Sequence, residues 1–408
     1  MYTFEKDTSI HTGSFLLPAE EYRGPGWPVV ACDQYTSQPA YWKEREAETR
    51  GAPSTLNLIL PECWLDQAAE RVPKIQQTMR EYQTQGVFAP ALNGLVLIRR
   101  TIPAGDRWGL LVTVDLERYD FSPDSQSAIR PTEGTITERI PPRLAVRAQA
   151  PLELSHVLLL ADDPQHTLIE PFAARKDSLP LLYDIELSGS GGRLTGWAIT
   201  EEAALCAFFG AVRALEARSQ GLSFAVGDGN HSLATARAHW LKVRESLSGE
   251  ARLTHPARYA MAELINLHDP ALVFEPIHRA VFGASPSAVF EALKPCEPVM
   301  DLDHPDFILA HAKGDYPLRI SNPLHELPVG TVQKLLDRAG FRVDYIHGED
   351  ALRGLVQEEN AVGILLPAIN KFTLFPAVRQ NGPLPRKCFS MGEAPEKRYY
   401  MEARAIIG

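Results

Sequence analysis

The stretch Leu222-Ser-Phe-Ala-Val-Gly-Asp-Gly-Asn-His-Ser-Leu-Ala-Thr-Ala-Arg-Ala-His-Trp240 constrains this chain more than any other. An apolar run that reads as a buried strand stops at Gly227-Asp-Gly-Asn-His231, and a helical pattern begins at once. Leu233, Ala236, Trp240, Val243 and Leu247 recur at spacings of three and four, which gives the helix one apolar face. Arg237 and Arg244 fall off that face. The first N–H groups of such a helix have no intrahelical partner, and the positive end of the helix dipole lies behind them. Gly227 and Gly229 permit positive φ and close backbone approach, where a side chain would obstruct. One reading is a plain turn in which Asn230 or Ser232 caps the helix. The other is a cradle for an oxyanion, built from main-chain donors. Asp228 and His231 weigh toward the cradle, because a histidine at a helix start responds to a bound phosphate.

The rest of the chain supports a globular, mixed architecture. Its 408 residues are enough for roughly two or three domains, and 45% hydrophobic content supplies a sizeable core. The 32 prolines predict many loops and short elements. A net charge of -10 argues against global attraction to nucleic acid or an anionic membrane. Cys32, Cys63, Cys206, Cys296 and Cys388 form no C-x-x-C pair, so neither a disulfide framework nor a structural zinc site is expected, and a reducing cytosol fits best. Residues 1–14 lack the apolar core of a signal peptide, and no run approaches the roughly 18 apolar residues of a membrane span, so the expected location is cytoplasmic.

Helices are predicted over 40–50, with Thr36 or Ser37 as cap, and over 61–85, 200–218, 287–293, 329–339 and 351–357. Strands are predicted over 94–99 and 108–116 as a pair, over 157–161, over 179–187 and 193–198 around Ser188-Gly-Ser-Gly-Gly192, and over 259–266, 307–310 and 362–366. The fold class is α+β with mixed sheets. Three regions are expected, 1–150, 151–284 and 285–408, with soft and interleaving boundaries.

Gly227-Asp-Gly-Asn-His231 with Leu233-Ala-Thr-Ala236 is similar to the D-G-x-H-R-x-x-A signature of the ParB/sulfiredoxin-like superfamily. More closely, the chain resembles domain-of-unknown-function family 1015. Arg130-Pro-Thr-Glu-Gly-Thr135 with Pro142-Arg143-Leu144, Pro276-Ile-His-Arg279, His347-Gly348-Glu349 and Pro385-Arg-Lys-Cys388 extend the resemblance from about Trp27 to Arg404. That family has no settled activity. In the wider superfamily the loop and helix hold nucleotide phosphates; some members phosphorylate small molecules such as free serine, and others sense nucleotides. The resemblance implies a ParB/sulfiredoxin-like strand-loop-helix core. Gly227, Gly229, Asn230 and Ser232 would then bind phosphate, with His231, Asp228, Glu133 and Arg279 as catalytic candidates. The superfamily arginine after the histidine is Ser232 here, so phosphate charge must be met elsewhere or the original chemistry is lost.

Replacement cations are available at His278-Arg279, Arg139, Arg143, Arg386-Lys387 and Lys397-Arg398. A second constellation, Cys32-Asp-Gln-Tyr-Thr-Ser37, places Asp33 as a candidate general base and Cys32 as small core filling. Glu133 sits in a turn, where a surface acid is the ordinary role and a metal ligand or base the sharper one. No Walker A, G-x-S-x-G, H-E-x-x-H or G-x-G-x-x-G motif is present. The expectation is a nucleotide-dependent phosphotransferase acting on a small hydroxyl-bearing substrate with ATP, ADP or CTP and Mg2+. The metal ligands and the oligomeric state are left open, a homo-oligomer being compatible with the sequence. The alternatives are a nucleotide-sensing or protein-interaction module without turnover, and a phosphatase or other hydrolase using the same anion site. Nucleic acid and membrane partners are not expected.

Overall fold

The computed structural model describes residues 5–358 and 361–407. It divides into two compact units, Met1–Leu272 with Val378–Gly382 and Ala394–Gly408, and Val273–Ala377 with Pro383–Glu393. The fold is α+β with mixed sheets.

The first unit is built on a sheet of ten strands among the described residues. Its main path runs Ile129–Pro131, Phe224–Asp228, Leu158–Ala161, Tyr259–Asn266, Gly105–Asp115, Leu92–Ile102, Arg193–Ile199 and Leu181–Glu186. The expected pair is an antiparallel hairpin joined at Ile102–Gly105, with Val96 opposite Leu111 and Arg100 opposite Arg107. Alternation along these strands sends their side chains to two cores. Leu95, Leu97, Leu110, Val112 and Val114 meet Leu205, Phe208, Phe209 and Val212 of the helix Glu202–Arg218, together with Leu233, Ala236 and Trp240. Val96, Ile98 and Leu111 meet Trp27, Val30, Ile75, Met79, Tyr399 and Tyr400 on the other face. This one sheet takes strands from both sides of residue 150.

The predicted helices appear with shifted ends. The first spans Pro39–Glu48, and its N-cap is Gln38, with no capping side chain. Thr36 lies two residues before that cap, and its hydroxyl donates to the Asp33 carbonyl at 3.0 Å. The 61–85 region opens with 3-10 geometry at Glu62–Gln67 before the α-helix Ala68–Thr84.

The second unit carries a sheet ordered Pro298–Met300, Gly314–Ile320, Phe307–His311, Val362–Leu365, Phe274–Phe282 and Arg342–His347, with Phe389–Met391 also pairing Phe274–Phe282. Helices Pro286–Leu293, Pro328–Ala339 and Glu349–Glu358 lie between those strands in sequence. Among the described residues no helix is long and apolar enough to cross a membrane.

Candidate functional site

The central strand Phe224–Asp228 pairs parallel with Ile129–Pro131 and antiparallel with Leu158–Ala161. Its register slips between Val226 and Asp228, which face Leu159 and Leu158, so Gly227 is the extra residue of a bulge. A bulge bends its strand and re-aims the neighbouring side chain; here that side chain is Asp228. Gly227 does not adopt positive φ, whereas Gly229 does, at φ 78° and ψ 25°. A Cβ at Gly229 would stand 2.9 Å from Val157 Cα, so glycine is required both for the turn and for the close approach.

Gly229 is the N-cap of the helix Asn230–Val243, and no side chain caps it. This decides against Asn230 or Ser232 as the cap. The helix does present Leu233, Ala236 and Trp240 to the core but ends at Val243, so Leu247 lies beyond it. Arg237 and Arg244 turn to Glu117, at 3.6 and 2.9 Å. Asn230, His231 and Ser232 are each half-buried, and the Asn230 Oδ1 atom is buried with no hydrogen-bond partner. Asp228 accepts the Gly229 N–H at 2.8 Å and lies 3.4 Å from Lys397 Nζ.

His231 Nε2 accepts the Ile136 N–H at 3.2 Å. An imidazole nitrogen that accepts is unprotonated, so the ring proton in this arrangement sits on Nδ1, and His231 adds a donor rather than a charge. Ile136 ends the loop that carries Glu133, which is half-buried. That loop is anchored at Thr132, whose N–H and hydroxyl both reach the Val226 carbonyl. Glu133 therefore comes after the strand Ile129–Pro131 at the same carboxyl edge where the central loop leaves its own strand.

The C-terminal tail crosses this region. Tyr399–Tyr400 pairs with Val29–Val30, and Arg398 accepts the Ala31 N–H through its carbonyl. Tyr400 Oη accepts the Cys32 N–H and lies 2.7 Å from His156 Nδ1, while His156 Nε2 is 4.0 Å from Asp33 Oδ2. His156 precedes Val157, the residue packed against Gly229. Arg143 pairs with Glu62, whose N–H donates to the Cys32 carbonyl. Burial, and then the charge of Asp33, push the Cys32 thiol up to about 12, so it is no nucleophile. Beneath the tail, Arg398 is buried between Glu263 and Glu402 and donates to the Ser155 carbonyl. Gly109 leaves room for the Glu263 carboxyl, which a Cβ there would meet at 2.8 Å.

Contacts in the first unit thus link the central loop with Ile136, at the end of the Glu133 loop, and with Lys397. They also tie Asp33, His156 and Tyr400 to the neighbouring backbone. Arg279 lies in the second unit, fully buried, with its guanidinium on Gln333 Oε1 and on the Ile277 and Arg386 carbonyls, which makes it an internal cross-link of that unit. Arg386 pairs with Asp337 there. The Arg139 side chain lies outside the described residues. Among the described residues no group of three or more His, Cys, Asp or Glu could hold a metal ion. His156 was missed from the sequence, where a lone histidine before an apolar run carries no signal.

A family model described as "Protein of unknown function (DUF1015)" matches residues 16–339. No curated protein matches the sequence. Solved structures that align with this chain include a conserved hypothetical protein from Pyrococcus furiosus, at 10% identity, 73% of this chain, 95% of that one and a TM-score of 0.38. A free serine kinase in complex with ADP aligns at 11% identity, 73% and 92% coverage and a TM-score of 0.41. SbnI with C-terminal truncation from Staphylococcus aureus aligns at 11% identity, 73% and 83% coverage and a TM-score of 0.38. Likenesses this loose carry no argument about site or activity.

Proposed function

We propose a function from one premise: the chain belongs to the DUF1015 family of proteins of unknown function. The proposed function is binding of nucleotide phosphate at the central loop and transfer of a phosphoryl group to a small hydroxyl-bearing substrate. One observation carries it: a helix of 14 residues begins at a left-handed glycine pressed onto a neighbouring backbone, and no side chain makes a capping hydrogen bond there. Main-chain donors and the helix dipole then favour an anion at Asn230–Ser232.

The supporting groups take separate roles. Lys397 takes the place of the missing arginine as the cation beside the loop, in the role first read for Arg279. Asn230, rotated about its terminal bond, turns its orphaned carbonyl away and presents two N–H donors. His231 donates through Nδ1. Asp33, beside His156, is the candidate base for a substrate hydroxyl. A divalent metal would be held by phosphate oxygens with Asp228 or Glu133, since Mg2+ needs only one or two protein carboxylates in such sites.

The test is calorimetric titration of the protein with ATP, ADP, CTP and AMP, with and without Mg2+, and then phosphoryl transfer across a panel of small alcohols and amino acids. Binding that is lost in Ser232→Asp and weakened in Lys397→Gln supports the loop as the phosphate site. No binding at millimolar nucleotide refutes it. Ser232 and the Asp228–Lys397 pair favour a second reading, nucleotide sensing without turnover. Binding without transfer distinguishes it.

A further inference from the structure

The hairpin of the first unit carries two arginines face to face. Arg100 and Arg107 are register partners on adjacent antiparallel strands, on the face that packs against the tail. Each is only 2% exposed. Among the described residues neither forms an ion pair with a carboxylate. Directly opposed like charges destabilise a strand pair, and burying them worsens the penalty. The charge of Arg107 and, before it, burial pull the Arg100 guanidinium down to about 10.

Their partners do not account for them. Arg100 Nη2 donates to the Pro395 carbonyl at 2.7 Å, and Arg107 Nη1 reaches the Glu396 carbonyl at 3.4 Å. The Arg100 guanidinium lies 4.7 Å from the centre of the Tyr399 ring. Nε and Nη1 of Arg100 and Nε of Arg107 are buried with no hydrogen-bond partner. The charged groups around them are committed elsewhere. Asp269 senses Arg107, but its carboxyl accepts the Trp108 and Ala271 N–H groups. Glu263 senses Arg100 but is held by Arg398. Two carbonyl oxygens could be held by neutral amides; two guanidiniums bring ten donors and two charges to the task.

We infer that Arg100 and Arg107 form a second anion site, separate from the central loop, that binds the doubly charged phosphate group of inorganic phosphate or of a small phosphate ester. A planar guanidinium matches a tetrahedral oxyanion through two parallel N–H bonds, and two guanidiniums together neutralise a dianion. The turn Ala394–Glu396 now supplies the acceptors, so anion binding shifts that turn and replaces its carbonyls.

The experiment is thermal unfolding of the full chain in a phosphate-free buffer, titrated with inorganic phosphate and, separately, with AMP. The proteins are the wild type, Arg100→Met, Arg107→Met and Ser232→Asp, the last placing a carboxylate in the central loop. Saturating anion is expected to raise the midpoint of Ser232→Asp, whose central loop is blocked, by about 4 °C, and to raise both arginine variants by that much less than the wild type. A shift with phosphate identifies a free anion; a shift with AMP alone identifies the phosphate of a larger molecule. No shift in the wild type with either overturns the inference. So does a shift kept by the arginine variants and lost in Ser232→Asp, a pattern that instead favours the central loop. Without anion, Arg107→Met is expected to be at least as stable as the wild type, because a buried like charge is gone. A lower midpoint for that variant shows that the guanidiniums serve only to hold the turn, and overturns the site.

Discussion

Replacing Gly229 by alanine tests the geometry on which the central loop depends. The backbone sits at φ 78°, in the left-handed region, where a Cβ costs about 1–2 kcal/mol. The new methyl would also lie 2.9 Å from Val157 Cα and 3.3 Å from its N, both main-chain atoms that lead into the buried strand Leu158–Ala161 and cannot swing aside. Forcing a methyl into such packing costs about 1–3 kcal/mol. The stiffer unfolded chain returns about 0.5–1 kcal/mol. The net loss expected is about 3 kcal/mol. All 6 tryptophans (Trp27, Trp42, Trp64, Trp108, Trp197 and Trp240) belong to the first unit, so urea unfolding monitored by tryptophan fluorescence reports that unit alone. Gly210→Ala is the control. Gly210 lies inside the helix Glu202–Arg218 with nothing within 4 Å of an added Cβ, so this change stabilises by about 0.5–1 kcal/mol. Two glycine-to-alanine changes in one unit should therefore move the midpoint in opposite directions. A Gly229→Ala midpoint within about 0.5 kcal/mol of the wild type would refute the account of the turn.

Other outcomes stem from buried charge. Arg398→Met strands Glu263 and Glu402 in the core and should cost about 3–5 kcal/mol by the same fluorescence assay, whereas Arg193→Met, on the exposed pair with Asp184, should leave the midpoint unchanged. In the folded protein at pH 8, iodoacetamide should modify exposed Cys206 and spare Cys32, as read by peptide mass. Burial, and next the charge of Arg147, hold His239 down to about 4, below its ordinary 6.5. The unfolded chain then binds the extra proton between those values, so stability falls as pH drops from about 6.5 to about 4, and His239→Gln should flatten that slope.

What the sequence disclosed was local. The central strand and helix, the hairpin and the helix Glu202–Arg218 are each specified by side-chain period and flanking polar residues within one segment, and their ends fall within a few positions of the reading. The bulge at Gly227 is a property of two strands in register, which no single segment encodes. Thr36 looked like a cap because hydroxyls favour that place, but the helix begins only at Pro39, with Gln38 between them as the N-cap. The same limit applies to the site. Asp228 and His231 were legible beside their glycines, yet Lys397 reaches Asp228 only because the last residues return to pair with Val29–Val30. Arg279 drew attention by its motif, and its burial against Gln333 depends on a helix far along the chain.

That return of the tail has a bearing on how the protein is made. The first unit is discontinuous: Ala394 onward completes it, after the whole of Val273–Ala377 has been synthesised. On the ribosome, Val29–Val30 and Leu152–Leu154 emerge early and wait for Tyr399–Tyr400 and Ala403–Ala405, while Glu263 is without Arg398 for the same interval. A nascent chain stalled before residue 394 therefore exposes an unmatched acid and two unpaired edges, and the first unit becomes whole only after the second has left the exit tunnel.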